Sequence, residues 1–141
     1  MTWATDRLDL LKARAVTPPP VVETLRLGLL DDWGPGWARK VWTPELGLLN
    51  ADGSLFGGYV AALADQILAF ATMTVVPDGM AFRTVNLAVR FVKVGRDAPL
   101  TIEGRVVAQS RNLITVEADL RQGEALIARA DAQQMLVPLP G

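Results

Sequence analysis

The sequence predicts an α+β domain in which one curved antiparallel sheet wraps around a long central helix. Three observations predict it. Residues 57–76 read GGYVAALADQILAFATMTVV, apolar on nearly every face and carrying one charge. The period then changes to alternation, with Val85, Leu87, Val89 and Phe91 set against Thr84, Asn86, Ala88 and Arg90. Three more alternating runs follow, separated by short turns. One sheet can bury so apolar a helix only by curling around it.

Taken in order, Thr5 to Ala15 reads as a short amphipathic helix, with Thr5 as N-cap and Leu8, Leu11 and Ala15 on one face. Pro18-Pro19-Pro20 stops it, and a second short helix is expected over Val21 to Leu30. Asp31 to Gly36 reads as an irregular loop. Residues 1–35 thus form a helical extension ahead of the main fold, the whole of 1–141 being one domain. Trp37 to Thr43 is a strand, and Pro44 to Leu55 a loop rich in glycine, asparagine and aspartate. The long helix runs from Gly57 to Val76 and is closed by Pro77-Asp78-Gly79.

Four strands complete the chain: Thr84 to Phe91, Leu100 to Ala108, Ile114 to Leu120 and Ala128 to Ala132. Gly95-Arg96-Asp97, Ser110-Arg111-Asn112 and Gln122-Gly123 supply turns short enough to join antiparallel neighbours. The small side chains of the last strand let sheet and helix approach closely. A strand, a long apolar helix and four antiparallel strands make the hot-dog arrangement. The helix has about the length of a membrane span, but Asp65 at its middle followed by Gln66 would be costly in a bilayer.

Composition narrows the function. Half of the 141 residues are apolar, enough for one sizeable core. Fourteen lysines and arginines nearly balance fifteen aspartates and glutamates, so no strong field draws in nucleic acid or an anionic membrane. With no cysteine there is no thiolate nucleophile, thiolate metal site or disulfide, and with charges in the first nine residues export is not expected; the location predicted is cytoplasmic. With no histidine, a Ser-His-Asp triad, a Cys-His pair and a histidine-ligated zinc are excluded. Acid–base chemistry falls to carboxylates, lysine, tyrosine or water.

From Asn50 to Val137 the chain resembles the PaaI-type branch of the hot-dog thioesterases. Members show Asn, a few residues, Gly-x-x-His-Gly-Gly, then Ala-x-x-Asp, and a Thr or Ser opening the strand after the helix. The matching positions are Asn50, the run Gly53-Ser54-Leu55-Phe56-Gly57-Gly58, then Ala62-Leu63-Ala64-Asp65, then Thr84. The resemblance implies hydrolysis of an acyl-CoA thioester, medium-chain or aromatic, with coenzyme A arriving as part of the substrate and no other cofactor. It implies Asp65 as nucleophile or general base. The Gly57 N–H, at the positive end of the helix dipole, polarises the thioester carbonyl. Asn50 orients carbonyl or water, and Thr84 positions the attacking water. Phe56 stands where the family commonly has histidine; loss of one such donor costs about 10²–10³ in rate. Phe56 and Gly58 flank the substrate.

Eight helical residues put Gly57 about 12 Å from Asp65 at ~1.5 Å per residue. One carbonyl cannot reach both, so a shared thioester requires groups from two subunits, in keeping with the family's habit of building sites across a two-fold interface. A homodimer is expected, or a dimer of dimers. Alternatives stay open at several positions. Asp65 is otherwise a satisfied buried carboxylate, and Gly57-Gly58 a tight helix entry. Lys93, Arg96 and Arg111 either bind coenzyme A phosphates or are solvated loop charges. Trp33, Trp37 and Trp42 line a pocket or pack on the sheet. The competing function is an acyl-CoA binding protein without turnover; a hydratase is disfavoured because those enzymes use a catalytic histidine.

Overall fold

A computed structural model describes residues 1–140. Helix α1 covers Trp3–Lys12, and its N-cap is Thr2 rather than Thr5. Thr2 accepts from the Thr5 N–H and Thr5 accepts from the Thr2 N–H, a reciprocal box that places the helix start earlier than apolar spacing alone indicates. Helix α2 is only Pro20–Thr24, against the expected Val21 to Leu30. The difference is tertiary. The carbonyls of Leu25 and Arg26 both lie within hydrogen-bond reach of the Tyr59 hydroxyl, which donates to one at a time, and Trp42 Nε1 donates to Arg26 O at 3.1 Å. The chain turns through positive φ at Arg26 and Gly28 to meet them.

Strand β1, Asp32–Gly34, lies where an irregular loop was expected, and pairs with β2, Trp37–Trp42. A 3₁₀ turn, Leu46–Leu48, interrupts the following loop. Helix α3 covers Gly57–Met73, three residues short of the predicted end. The Thr74 hydroxyl donates to Ala71 O at 2.7 Å and accepts the Gly36 N–H at 2.9 Å, a local alternative that stops the helix before Pro77. None of the described helices is long and apolar enough to cross a membrane.

The remaining strands are β3 Met80–Phe91, β4 Leu100–Gln109, β5 Leu113–Gln122 and β6 Ala125–Pro138. All pair antiparallel in one six-stranded sheet of order β1-β2-β4-β5-β6-β3. The Gly95-Arg96-Asp97 segment is therefore not a turn between neighbours. It belongs to a crossover from the β3 edge to β4 in the middle of the sheet, while β3 pairs with the last strand. Alternation predicts an inward face on β3 that the core fills only in part. Val85, Leu87 and Phe91 are exposed, and of the four alternating apolar residues Val89 packs on the core. The register slip between Thr84 and Asn86 precedes Leu87, Val89 and Phe91, which keep one face; they are left bare because β3 is the sheet edge.

Leu63, Ala64, Ile67, Leu68 and Ala71 of α3 are fully buried against Ile102, Val116, Ala118, Ala128 and Ala132 of the sheet. On β4 the helix backbone itself comes close. A Cβ at Gly104 would lie 2.9 Å from the Ile67 carbonyl oxygen. On the other side the extension is stitched down by polar bonds. Trp3 Nε1 donates to Met80 O at 2.8 Å, and Arg14 donates to Leu30 O at 2.7 Å. Lys40, 1% exposed, donates to Leu27 O at 2.8 Å and to Gln66 Oε1.

Two outcomes follow. G104A should lower the urea midpoint by about 1–3 kcal/mol of stability with m unchanged, because the helix backbone cannot yield as a side chain would. Burial pushes the Lys40 ammonium down to about 7 from 10.5, with Asp31 pulling weakly the other way. Between those values the unfolded chain binds a proton that the folded chain does not. Stability from this group therefore rises from pH 7 towards 10.5. Melting temperatures taken across that range should climb for the wild type relative to K40M, and parallel curves would exclude Lys40 as their cause.

Candidate active site

Asp65 lies two turns into α3 and is half-buried. Removal from water raises its carboxyl above the usual aspartate value, and the Thr84 hydroxyl beside it pulls the other way. Thr84 comes from the first half of β3, next to the register slip, and its hydroxyl donates to Gln134 Oε1 of β6 at 2.8 Å. Two predicted site residues, nineteen positions apart in the chain, are thus brought together.

Both open onto a cavity of about 450 Å³ whose other walls are mainly apolar. Ala62, Ala69, Phe70 and Met73 of α3 form its floor, and Trp3, Leu11, Val22 and Leu25 of the extension its roof. Residues 1–35 carry no motif that announces this. Their apolar positions read as ordinary helix packing, and only the folded chain shows that they leave a space. Asp65, Gln66, Thr84 and Arg7 are the polar groups on its wall. Gln66 is tied down at both ends of its amide, Oε1 to Lys40 and Nε2 to Gly28 O at 2.7 Å, so its amide is engaged away from Asp65. Of the tryptophans singled out from sequence, none lines the cavity; Trp42 packs on Tyr59 with ring centroids 5.1 Å apart.

Gly57 faces elsewhere. It borders a second cleft of about 310 Å³, with Lys93, Ser54 and Phe91. Phe56 occupies the N-cap of α3 and has no acceptor to offer, and the first helical bonds run from Tyr59 and Val60 to Phe56 O. The Gly57 and Gly58 N–H groups precede those bonds, at the positive end of a 17-residue helix. The glycines also have a steric cause. A Cβ at Gly58 would fall 2.8 Å from the Phe56 ring, and one at Gly57 3.3 Å from Phe91.

Asn50 lies in the loop before α3, where its Nδ2 donates to Ser54 Oγ at 3.0 Å and to Leu55 O at 3.2 Å. It closes that loop and lines neither cavity. Arg96 is held through its backbone by Gln122, and Arg111 is exposed in the turn between β4 and β5; neither is among the residues that line the second cleft. Among the described residues no three Asp or Glu side chains cluster closely enough to hold a metal ion.

The arrangement supplies a carboxylate with an adjacent hydroxyl at the polar rim of an apolar cavity, and separately an amide donor beside a lysine. Known proteins share the fold that carries it. Residues 52–128 match the thioesterase superfamily. An esterase-named protein of Saccharolobus solfataricus is 30% identical over 98 residues, 67% of this chain and 63% of that one, so less than two thirds of that relative is spanned. A phenylacetic acid degradation-related protein of Ralstonia eutropha superposes with a TM-score of 0.81 at 25% identity, over 91% of this chain and 98% of that one. A Streptococcus pneumoniae protein solved with coenzyme A shares the fold at a TM-score of 0.71 and 23% identity, over 79% and 90% of the two chains.

The raised Asp65 carboxyl has a consequence for stability. Between the ordinary aspartate value and the folded one, the native state holds a proton that the unfolded state has lost, so stability falls as pH rises through that window. D65N should therefore melt higher than the wild type at pH 7, with the gap closing as pH falls towards 4. A variant that melts lower at pH 7 would mean the carboxylate is structurally satisfied.

Proposed function

The chain belongs to the thioesterase superfamily, and from that premise we propose that it hydrolyses an acyl-CoA whose acyl group is medium-chain or aromatic. The observation that carries the proposal is Asp65 beside Thr84 at the rim of the apolar cavity. A cavity of about 450 Å³ is within the usual range for small-molecule sites, and its mostly apolar wall suits a hydrocarbon or aryl group. Asp65 acts as general base towards water held by Thr84, or as nucleophile. As base, Asp65 takes a proton from water, the water oxygen bonds to the thioester carbon, the C–S bond breaks, and the proton returns to the departing thiolate. As nucleophile, a carboxylate oxygen bonds to that carbon, the thiolate leaves and is protonated by water, and the hydroxide so formed cleaves the anhydride to free acid and Asp65 carboxylate. The oxyanion forms next to the Gly57 N–H. Lys93, in the same cleft as Gly57, suits a coenzyme A phosphate.

Because the two halves lie about 12 Å apart along one helix, the catalytic unit is a homodimer in which Asp65 of one subunit faces Gly57 of the other. Support comes from β3. It is an edge strand with exposed Val85, Leu87 and Phe91, a surface that a lone subunit would need to protect. The alternative, a binding protein without turnover, is favoured by Phe56 at the helix start, where no side-chain donor is present.

Thiol release over a panel of acyl-CoA thioesters separates the two. Turnover by wild type, lowered about 10²–10⁴-fold in D65N, is expected, and equal rates would remove Asp65 from the chemistry. F56H should raise kcat. Tight binding of the panel with no turnover by either wild type or F56H would establish the alternative.

A further inference from the structure

Gln134 of β6 is wholly buried and stands directly opposite Thr84 in the β3–β6 register. Its Oε1 accepts the Thr84 hydroxyl at 2.8 Å, while its Nε2 is buried with no hydrogen-bond partner among the described residues. An amide N–H left in that state has given up its bond to water and gained none in return, which is costly. The same Thr84 hydroxyl shares the cavity wall with the Asp65 carboxyl and stands beside it. A threonine hydroxyl has one proton and cannot donate to both neighbours. When that proton goes to Gln134 Oε1, the hydroxyl can meet Asp65 only as an acceptor, which requires Asp65 to be protonated. Half a turn of the amide exchanges Oε1 and Nε2 within the same volume. Nε2 then donates to Thr84, and Thr84 donates to the ionised carboxylate.

We propose that Gln134 is a positioning residue for the Asp65 reaction, its amide reversing between acceptor and donor so that Thr84 bonds Asp65 in both protonation states. This rests on the hydrolase reading above. No proton passes through Gln134; only the direction of the two hydrogen bonds reverses as Asp65 takes a proton from water and returns it to the thiolate. A carboxylate could not do this, because once ionised it only accepts, and an apolar side chain would leave the hydroxyl unoriented. The charged groups around Asp65 do not duplicate the effect. Arg7 of α1 is on the cavity wall, Lys40 of β2 is spent behind Gln66, Arg83 of β3 donates to Phe82 O, and Asp131 of β6 is exposed.

Side-chain ¹⁵N–¹H spectra of the wild type, with the Gln134 amide identified by its loss in Q134M, test the reversal without requiring turnover. The Gln134 amide should shift in a single step at the pH where Asp65 titrates, and should be flat in D65N and in T84V. An amide that ignores Asp65, or that shifts equally in T84V, would overturn the proposal. Kinetics supply a second arm. Q134M, folded by circular dichroism, should lose about tenfold in kcat with KM within about twofold, as expected when a reacting group is held less well. Unchanged kcat in folded Q134M also overturns it. If the wild type hydrolyses no thioester, the hydrolase reading fails, and the amide titration still decides whether the relay exists.

Discussion

Everything in this molecule depends on how closely α3 can lie against the sheet. At Gly104 the helix carbonyl of Ile67 comes within 2.9 Å of where a side chain would begin, and around it the sheet offers Ala118, Ala128, Ala130 and Ala132. A helix seated this deeply buries its inner face completely and leaves a narrow outer face for other use. Close packing of this kind is rigid, because the atoms in contact are backbone and methyl groups with no rotamers to relax into. Asp65 and the start of α3 are therefore held on a firm axis.

The outer face of α3 is where the polar chemistry collects. The sheet does not cover it; the extension does, and incompletely. Trp3, Tyr59, Trp42 and Lys40 fasten the extension through hydrogen bonds to backbone carbonyls. They fasten it around the cavity rather than across it. Half-burial disfavours the charged form of Asp65, and a nearby hydroxyl compensates only in part. Lys40 makes a contrast. It is more deeply buried, yet its ammonium is bonded to Leu27 and Gln66, and it serves as a strut behind the site. A cost carried by Asp65 without a structural partner fits a group kept for reaction.

Much of the frame was legible in the chain because burial imposes periods on sequence. The long helix, the four later strands and the strand at Trp37 follow from apolar spacing and turn residues, and so does the presence of one carboxylate within an apolar helix. Where legibility failed, long-range contacts decided. Strand β1 exists because Asp32 to Gly34 find a partner in β2. Helix α2 is cut short by donors from Tyr59 and Trp42. The exposure of Leu87 and Phe91 follows from the edge position of β3, which no alternation reveals. Strand order is invisible to local pattern altogether, and the pairing of β3 with β6 in place of β4 is what sets Gln134 against Thr84.

By itself, then, the sequence determined the fold class, Asp65 as the single carboxylate of the buried helix, and, through the absence of histidine and cysteine, which chemistries are closed. These depend on residue identity and on local period, and both are written along the chain. Only the tertiary structure decided what surrounds Asp65: the apolar cavity under the extension, the hydroxyl of Thr84, and Gln134 behind it. Those neighbours are joined by pairing and packing between segments distant in sequence. The physical reason is that environment, unlike identity, is a property of contacts.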